Sequence, residues 1–462
     1  MTTHREPGVP QSLVCFGGVI AIVIFGLLWL NVDLHTLLII GLIWTAGHAS
    51  SLGFGFASLK TAMSGGIEKG LAAIYIFVLI GVLIAALIAG GTVASLIHYG
   101  VDLLSPGIFL PAGLLLCSLM SLATGTAWGT IGTIGVVLMG LGEALEIPLP
   151  LVAGMVVSGA SFGDKMSPVS DTTNLAAMSA ETDLYAHIKS MLYTTGPSCL
   201  LALVAFTVVG LQYADQSLSV QNLVALKEAL ASEFAIGVTA LLPLVVLLVL
   251  SVRRVPAELS MLASVGVAVV LAVTVQGQGI VTVLNSLNTG YVSSTGLEQV
   301  DTLLTRGGVQ SMMWTLSLAL IALALGGLLD RAGFVRVLVS GLLARIKRSA
   351  TLMTTTIAAG VVANMSMGEA YLSIIFGGQI FKASYEADGL ERHLLSRCLE
   401  EGATLSTSLI PWTTSGAFCM GALGLSALEY APWAFFNYIN PLLSIALAYM
   451  GFGIFRKATS VR

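Results

Sequence analysis

The residues best suited to chemistry lie close together between Gly163 and Asn174, where the sequence reads GDKMSPVSDTTN. This segment holds three charged side chains and several hydroxyl and amide groups, and it lies between two strongly apolar stretches. Oxygen atoms from such groups are the ligands that hard cations prefer. Charged side chains at membrane depth are costly and therefore mark functional sites. The segment predicts an ion-binding site inside a membrane protein.

A second segment, Ser408 to Ser415, reads SLIPWTTS and repeats this chemistry in the later half of the chain. Each segment contains a proline, Pro168 or Pro411, and a proline inside a helix interrupts its hydrogen bonds. Broken helices at membrane depth persist where they are buried or line a cavity, and their ends offer backbone dipoles to an ion. The two segments together are typical of a transport site.

Asp171 is the first candidate ion ligand because it follows the predicted break, with a role as helix N-cap as the alternative. Asp164 and Glu369 are the next candidates for ion or proton binding, and the alternative for Glu369 is a place at the membrane edge. Lys165 is expected to tune the field or to hold an anion. The oxygen donors among the candidates are Thr124, Ser167, Thr172, Thr173, Asn174, Thr413 and Thr414. Bound Na+ is expected at Asp171, Thr172 and Asn174.

Composition places the chain in the membrane. Of its 462 residues, 56% are hydrophobic and only 10% are charged, and the mean hydropathy is +0.94. Stretches without Asp, Glu, Lys or Arg cover residues 70–97, 103–142, 190–214, 234–252 and 259–297. A spanning helix needs about 20 mostly apolar residues. We expect an all-α polytopic protein with roughly 10 to 13 membrane elements, no nucleic-acid partner and no cofactor.

The two halves of the sequence resemble each other weakly. Four short matches occur in the same order at offsets of 236, 237, 243 and 241 residues, among them TGTAW from Thr124 against MGEAY from Met367. Lys60 and Lys69 begin the first half, whereas the basic loop of the second half follows its first span, at Arg345, Lys347 and Arg348. Basic loops mark the cytoplasmic side. The pattern therefore predicts an inverted repeat.

The predicted organisation follows from this repeat. Residues 1–69 form N-terminal spans, 70–215 the first transport repeat, 216–305 connecting spans and loops, and 306–462 the second repeat with a final span. Arg5 and the tail residues Arg456, Lys457 and Arg462 place both termini in the cytoplasm. The charged stretches 183–189 and 382–397 are interpreted as interfacial or loop helices without a chemical role.

GDKMSPVSDTTNLA, LATGTAWGT and LIPWTTSGAF resemble the NhaC-type sodium/proton antiporters, and the resemblance extends over residues 70–450. It implies a bacterial or archaeal inner-membrane protein that exports Na+ in exchange for H+ by alternating access. The family's polar site segment corresponds to Asp164, Ser167 and Asp171 to Asn174. This chain departs from relatives by reading GEAY at Gly368, so its ion selectivity is open.

Several alternatives stay open at this stage. Some members of the family exchange organic acids, so a malate/lactate antiporter driven by sodium and protons is the second hypothesis. A passive channel lacks a use for titratable carboxylates, and an intramembrane aspartyl protease would need a second aspartate motif that the sequence does not contain. Transport of Li+, the stoichiometry and a homodimeric assembly are left undecided.

Overall fold

The computed structural model describes residues 5–103, 105–214, 220–343, 346 and 348–457. These residues form helices joined by turns, with one isolated β-bridge between Leu390 and Arg456. The prediction of an all-α polytopic protein is confirmed. Arg345, Lys347 and Arg462, which the predicted orientation uses, lie outside the described residues.

The first part of the chain forms eleven α-helices, and a π-helical turn at Ile131–Gly135 joins α7 to α8. The helices are α1 Val9–Leu28, α2 Leu34–Ser51, α3 Phe56–Lys69, α4 Leu71–Ala89, α5 Thr92–Leu103, α6 Pro106–Thr124, α7 Ala127–Thr130, α8 Val136–Ala144, α9 Leu149–Met166, α10 Asp171–Ser179 and α11 Leu184–Leu211. Helices α6 and α9 begin with a proline in the first turn, where its missing N–H has no intrahelical partner to lose.

The connecting region contains α12 Val220–Glu233, a 3₁₀ turn at Val238–Leu241, α13 Leu242–Val252, α14 Ala257–Thr274, α15 Ile280–Thr289 and α16 Glu298–Leu304. The last part contains α17 Gly308–Ser311, α18 Met313–Arg331, α19 Phe334–Leu343, α20 Ser349–Met367, α21 Ala370–Ala387, α22 Arg392–Leu399, a π turn at Glu400–Thr404, α23 Leu405–Thr407, α24 Thr414–Leu423, α25 Ala427–Tyr430, a 3₁₀ turn at Ala431–Trp433 and α26 Phe435–Tyr449.

Within the described residues, seven helical segments are long and apolar enough to cross a membrane, and two bent pairs raise the number to nine if each pair is one span. The helices around the predicted site, α9, α10, α23 and α24, fall outside this set. Each of them is either short or carries polar residues. Most of the predicted site therefore lies on the elements that resemble ordinary spans least, whereas Thr124 ends α6, which is one of the seven.

Helix α9 is held against α6 by close backbone contact. A Cβ atom on Gly163 would lie 2.3 Å from the carbonyl oxygen of Ser118 and 2.5 Å from the amide nitrogen of Leu122. Small residues allow helix backbones to approach in membranes, where packing rather than hydrophobic burial drives association. Gly163 therefore fixes the position of the neighbouring Asp164.

Two helix junctions share one backbone conformation. The C-cap residue is Gly125 in α6 and Gly368 in α20. Both have a φ of 69°, in the left-handed region that glycine adopts without strain. The next residues, Thr126 and Glu369, are extended with φ of −146° and accept a hydrogen bond from the start of the following helix. These junctions are the TGTAW and MGEAY segments.

Candidate functional site

The first broken helix begins with the end of α9 at Met166, one residue after the charged pair Asp164 and Lys165. Ser167 and Pro168 carry the chain through the break. Helix α10 starts at Asp171, and its N-cap is Ser170, whose hydroxyl accepts a hydrogen bond from the Thr173 amide. The N-cap alternative for Asp171 is therefore wrong. Its carboxylate lies in the first helical turn, where the helix dipole favours a negative charge.

Asp164 lies on the last turn of α9 and is only 8% exposed. The hydroxyl of Thr172 lies 3.5 Å from its Oδ2 atom and 3.1 Å from the hydroxyl of Ser170. Asp171 is close enough to Asp164 to repel its charge. The break therefore brings two carboxylates and two hydroxyls together.

Three other predicted ligands of this segment use their side chains to hold the break. The Ser167 hydroxyl donates to the Leu122 carbonyl at 2.8 Å, and the Thr173 hydroxyl donates to the Lys165 carbonyl at 3.1 Å. The Asn174 amide donates to the Ser170 carbonyl at 2.7 Å. These side chains stabilise the loop, and the Asn174 side chain lies apart from the cavity described below.

The second broken helix consists of α23 and α24, on either side of Pro411. It contacts Glu369, the candidate acid in the later half of the chain. Glu369 is the N-cap of α21 and is 2% exposed, so its carboxylate is enclosed by the protein. The Thr414 hydroxyl donates to Glu369 Oε2 at 2.5 Å. Thr413 is the N-cap of α24, and its hydroxyl also donates to the Ile410 carbonyl at 2.9 Å. Thr413 therefore stabilises the break, and Thr414 positions Glu369.

A cavity of about 400 Å³ lies where the two breaks meet. Five predicted site residues line it, namely Thr124, Asp164, Asp171, Thr172 and Glu369. The Thr124 hydroxyl itself donates to the Met120 carbonyl of its own helix. The structure thus brings together the three predicted acids from both halves of the chain.

The cavity also includes residues that the sequence analysis did not select. Arg254 lies in the turn between α13 and α14, and Glu258 lies in the first turn of α14, close enough to Asp171 to repel its charge. Tyr371 follows Glu369, and its ring also lines the cavity. The pair Arg253-Arg254 before Pro256 marked this turn as a loop, but nothing in its sequence indicated that it lies beside the distant Asp171.

Lys165 points away from this cavity into a buried cluster of charges. Its Nζ atom donates to Asn440 Oδ1 at 2.8 Å and lies 4.0 Å from Glu401 Oε1. Arg397 Nε lies 3.8 Å from the same Glu401 oxygen, which also accepts the Thr194 hydroxyl at 2.6 Å. Lys165 therefore joins α9 to the π turn and to α26.

The interpretation of residues 183–189 and 382–397 as interfacial or loop helices is wrong for two members. His187 is fully buried in α11, and its Nδ1 atom lies 2.7 Å from the Ser396 hydroxyl. Arg397 is 1% exposed and belongs to the buried charge cluster. The mixed charge pattern of these stretches gave no indication that tertiary packing buries His187 and Arg397.

The arrangement is suited to binding a cation. Acidic groups from α9, α10 and α21 converge on one cavity, with hydroxyl groups beside them. Asp164 and Glu369 are buried, and a buried carboxylate is costly, so the cavity favours either a bound cation or protons on these two acids. A bound cation and a bound proton exclude each other at this site, and ion exchange requires such mutual exclusion.

The sequence model of the Na+/H+ antiporter family matches residues 7–173 and 159–452. The Na+/H+ antiporter NhaC of Alkalihalophilus pseudofirmus is 37% identical over 98% of this chain and 97% of its own length. The malate-2H+/Na+-lactate antiporter of Bacillus subtilis is 34% identical over 98% of this chain and 96% of its own length. The Na+/H+ antiporter NhaC of Bacillus subtilis is 33% identical, with 97% of this chain and all of that protein covered.

Proposed function

Because the chain belongs to the Na+/H+ antiporter family, we propose that it exports Na+ in exchange for H+ by secondary active transport. The observation that carries the proposal is the cavity in which Asp164 and Asp171 of the first broken helix meet Glu369 of the junction between α20 and α21. This geometry offers oxygen ligands and helix ends to a cation, as the discontinuous helices of transporters do.

The exchange follows from competition between the two ions. Asp171 lies at the start of α10 and faces the cavity, so a cation in the cavity reaches it directly. A proton on this carboxyl removes the charge that holds Na+, and bound Na+ opposes protonation. Release of one ion on one side and binding of the other then gives coupled antiport.

Alternating access requires parts that move against each other, and we propose that residues 70–215 and 306–462 act as the two repeats. The matching junctions at Gly125 and Gly368 support this division. Inverted repeats of this kind rock around a fixed site near the middle of the membrane. We further propose an inner-membrane location with both termini in the cytoplasm, from the distribution of Lys and Arg.

Exchange can be measured with purified protein in liposomes that hold an acidic interior and a pH-sensitive dye. Addition of Na+ outside should raise the internal pH rapidly, whereas choline should not. Li+ and K+ added in the same way report the ion selectivity. An internal pH that stays constant with every cation would contradict the proposal.

A second candidate function is exchange of malate for lactate, which the name of one relative describes. The observation that favours it is Arg254, a guanidinium group on the wall of a cavity of about 400 Å³. Arginine binds carboxylates through two parallel hydrogen bonds. In the same liposomes, this function requires proton movement when malate outside is opposed by lactate inside, and loss of that movement in Arg254→Gln.

A further inference from the structure

Glu400 is a buried acid that neither the sequence analysis nor the proposed exchange uses. It begins the π turn Glu400–Thr404 and has no exposed surface. In the described part of the chain, neither of its carboxylate oxygens has a hydrogen-bond partner of ordinary geometry. A buried carboxylate in that condition loses its hydration without replacement, which costs free energy.

Other unused oxygen atoms lie beside this carboxylate. The hydroxyls of Thr404 and Thr172 lie close to the Glu400 carboxylate, and the charges of Asp164 and Glu400 repel each other. The hydroxyl of Thr404 is buried and makes no hydrogen bond within the described residues. Asp164, Thr172 and Thr404 all line the cavity, so Glu400 lies directly behind its wall.

We propose that these oxygen atoms bind the transported cation after it has lost most of its water. The members of this inner site are Asp164, Thr172, Glu400 and Thr404. The inference rests on the proposed function, and it moves the expected position of bound Na+ from Asp171, Thr172 and Asn174 to a deeper place. Asp171 then lies on the route from the mouth of the cavity to the inner site.

The chemistry of the group favours a cation over the other occupants of such a space. Two carboxylates and two hydroxyls are oxygen ligands, which a small monovalent cation accepts in place of its hydration shell. The positive charge of Lys165 attracts the negative charge of the Glu400 carboxylate, yet the Lys165 Nζ atom donates its hydrogen bond to Asn440. The Coulomb attraction between Lys165 and Glu400 lowers the cost of the buried acid and still leaves its oxygens without donors.

The position of Glu400 in a π turn supports the same conclusion. A π turn within an α-helix widens the backbone and is found mostly at functional sites. Here the turn runs from Glu400 to Thr404, so both of its terminal residues contribute oxygen atoms to the inner site. Its other acid, Glu401, points to Lys165 and Arg397 instead. Adjacent acids thus have separate roles, one in structure and one in ion binding.

The test measures Na+ binding directly on the purified full-length protein. The midpoint of thermal unfolding is followed as NaCl replaces choline chloride at constant ionic strength, since a ligand that binds only the folded state raises this midpoint. Glu400→Gln and Thr404→Val should each need on the order of tenfold more Na+ for the same shift, because a charged or polar ligand is lost. Thr404→Ser should restore the Na+ dependence of the wild type.

Matched controls carry the same substitutions elsewhere. Glu228→Gln changes an exposed acid of α12, and Thr355→Val removes a hydroxyl that bonds only to the Thr351 carbonyl of its own helix. Both should keep the wild-type Na+ dependence. If Glu400→Gln does not fold, the comparison of Thr404→Val with Thr404→Ser decides the question alone.

The outcomes separate this inference from the proposed function. Wild-type protein that exchanges ions in liposomes, while Glu400→Gln and Thr404→Val keep its Na+ affinity, would overturn the inner site and leave the antiport intact. Wild-type protein that binds Na+ through these residues and moves no protons would overturn the antiport and leave the inner site intact. Absence of Na+-dependent stabilisation in the wild type would overturn the inner site.

Discussion

The Thr414 hydroxyl lies 2.5 Å from Oε2 of Glu369, so the second broken helix holds the acid that caps α21. The Glu369 Oε1 atom accepts the Tyr371 amide at 3.4 Å, which fixes the other side of the carboxylate. These bonds join a cavity acid to a helix break in the same half of the chain. Movement of α24 is therefore transmitted to the ion-binding cavity.

Substitution of Glu369 tests this relationship. Glu369→Gln should lower the initial rate of Na+-dependent proton movement by roughly 10- to 100-fold, the range expected for a lost charged contact. Thr414→Val should lower it less, because the acid remains but loses its anchor. Both are measured in the dye-loaded liposomes. Equal rates in wild type and Glu369→Gln would exclude this acid from transport.

Asp171 should be required for exchange because it lines the cavity and is not the N-cap of α10. Asp171→Asn should reduce Na+-dependent proton movement by roughly 10- to 100-fold while the protein stays folded. Asp183→Asn is the matched control, since Asp183 caps α11 and asparagine caps equally well. Wild-type exchange in Asp171→Asn would remove this residue from the ion path.

Glu258 should attract cations to the cavity. It is half-buried in the cavity wall near Asp171, so its charge raises the local cation concentration, an effect that salt screens. Glu258→Gln should raise the KM for Na+ by roughly two- to fivefold with little change in kcat, as for other partly exposed charges. Initial rates over a range of Na+ concentrations give both constants. Glu68→Gln serves as the control, because Glu68 is an exposed acid of α3. An unchanged KM would contradict this role.

Gly163 should tolerate no side chain. Gly163→Ala places a methyl group 2.3 Å from the Ser118 carbonyl oxygen and should cost about 1–3 kcal/mol in stability by forcing α9 away from α6. Gly196→Ala on α11 is the control, because a Cβ atom there meets no atom within 4 Å. Thermal unfolding in detergent compares the two variants. Equal midpoints would show that the contact between α6 and α9 yields easily.

The exposed acid Glu181 gives a pH-dependent prediction outside the membrane-spanning segments. Lys382 lies 2.6 Å and Arg392 2.8 Å from its carboxylate, and they hold its pKa below the usual 4.5. A lowered pKa in the folded state stabilises the protein above pH 4.5, and this contribution is lost as the pH falls through the folded pKa. The unfolding midpoints of wild type and Glu181→Gln should differ slightly at pH 7 and converge as the pH falls below the folded-state pKa of Glu181. High salt should reduce the difference at pH 7, since surface pairs are screened.

The helix breaks could be predicted from the sequence because their causes are local. Pro168 and Pro411 each interrupt a helix, and the hydroxyl residues next to them cap the helices that follow. The same local reasoning misplaced the cap at Asp171, since Ser170 also fits the N-cap position. Neighbouring residues with similar capping preference can be separated only by the backbone path through the break.

Other parts of the site depend on contacts between distant segments. Glu400 and Glu401 are adjacent in sequence, and only the packing of α9 and α22 around the π turn separates their roles. Arg254 and Glu258 belong to a loop and to the start of α14, which lie far from Asp171 in sequence. Periodicity and local propensity contain no information on such pairings, so these residues could not be selected from one sequence.

The position of Lys165 has a consequence for how the protein is made. Helix α9 leaves the ribosome with Asp164 and Lys165 near its C-terminal end, and charged residues raise the free-energy cost of inserting a helix into the membrane. The amide that binds Lys165 belongs to Asn440, which is synthesised 275 residues later. The other partner of Lys165, Glu401, also belongs to the later half of the chain. The ammonium group of α9 therefore lacks both of these partners until the π turn and α26 have been synthesised.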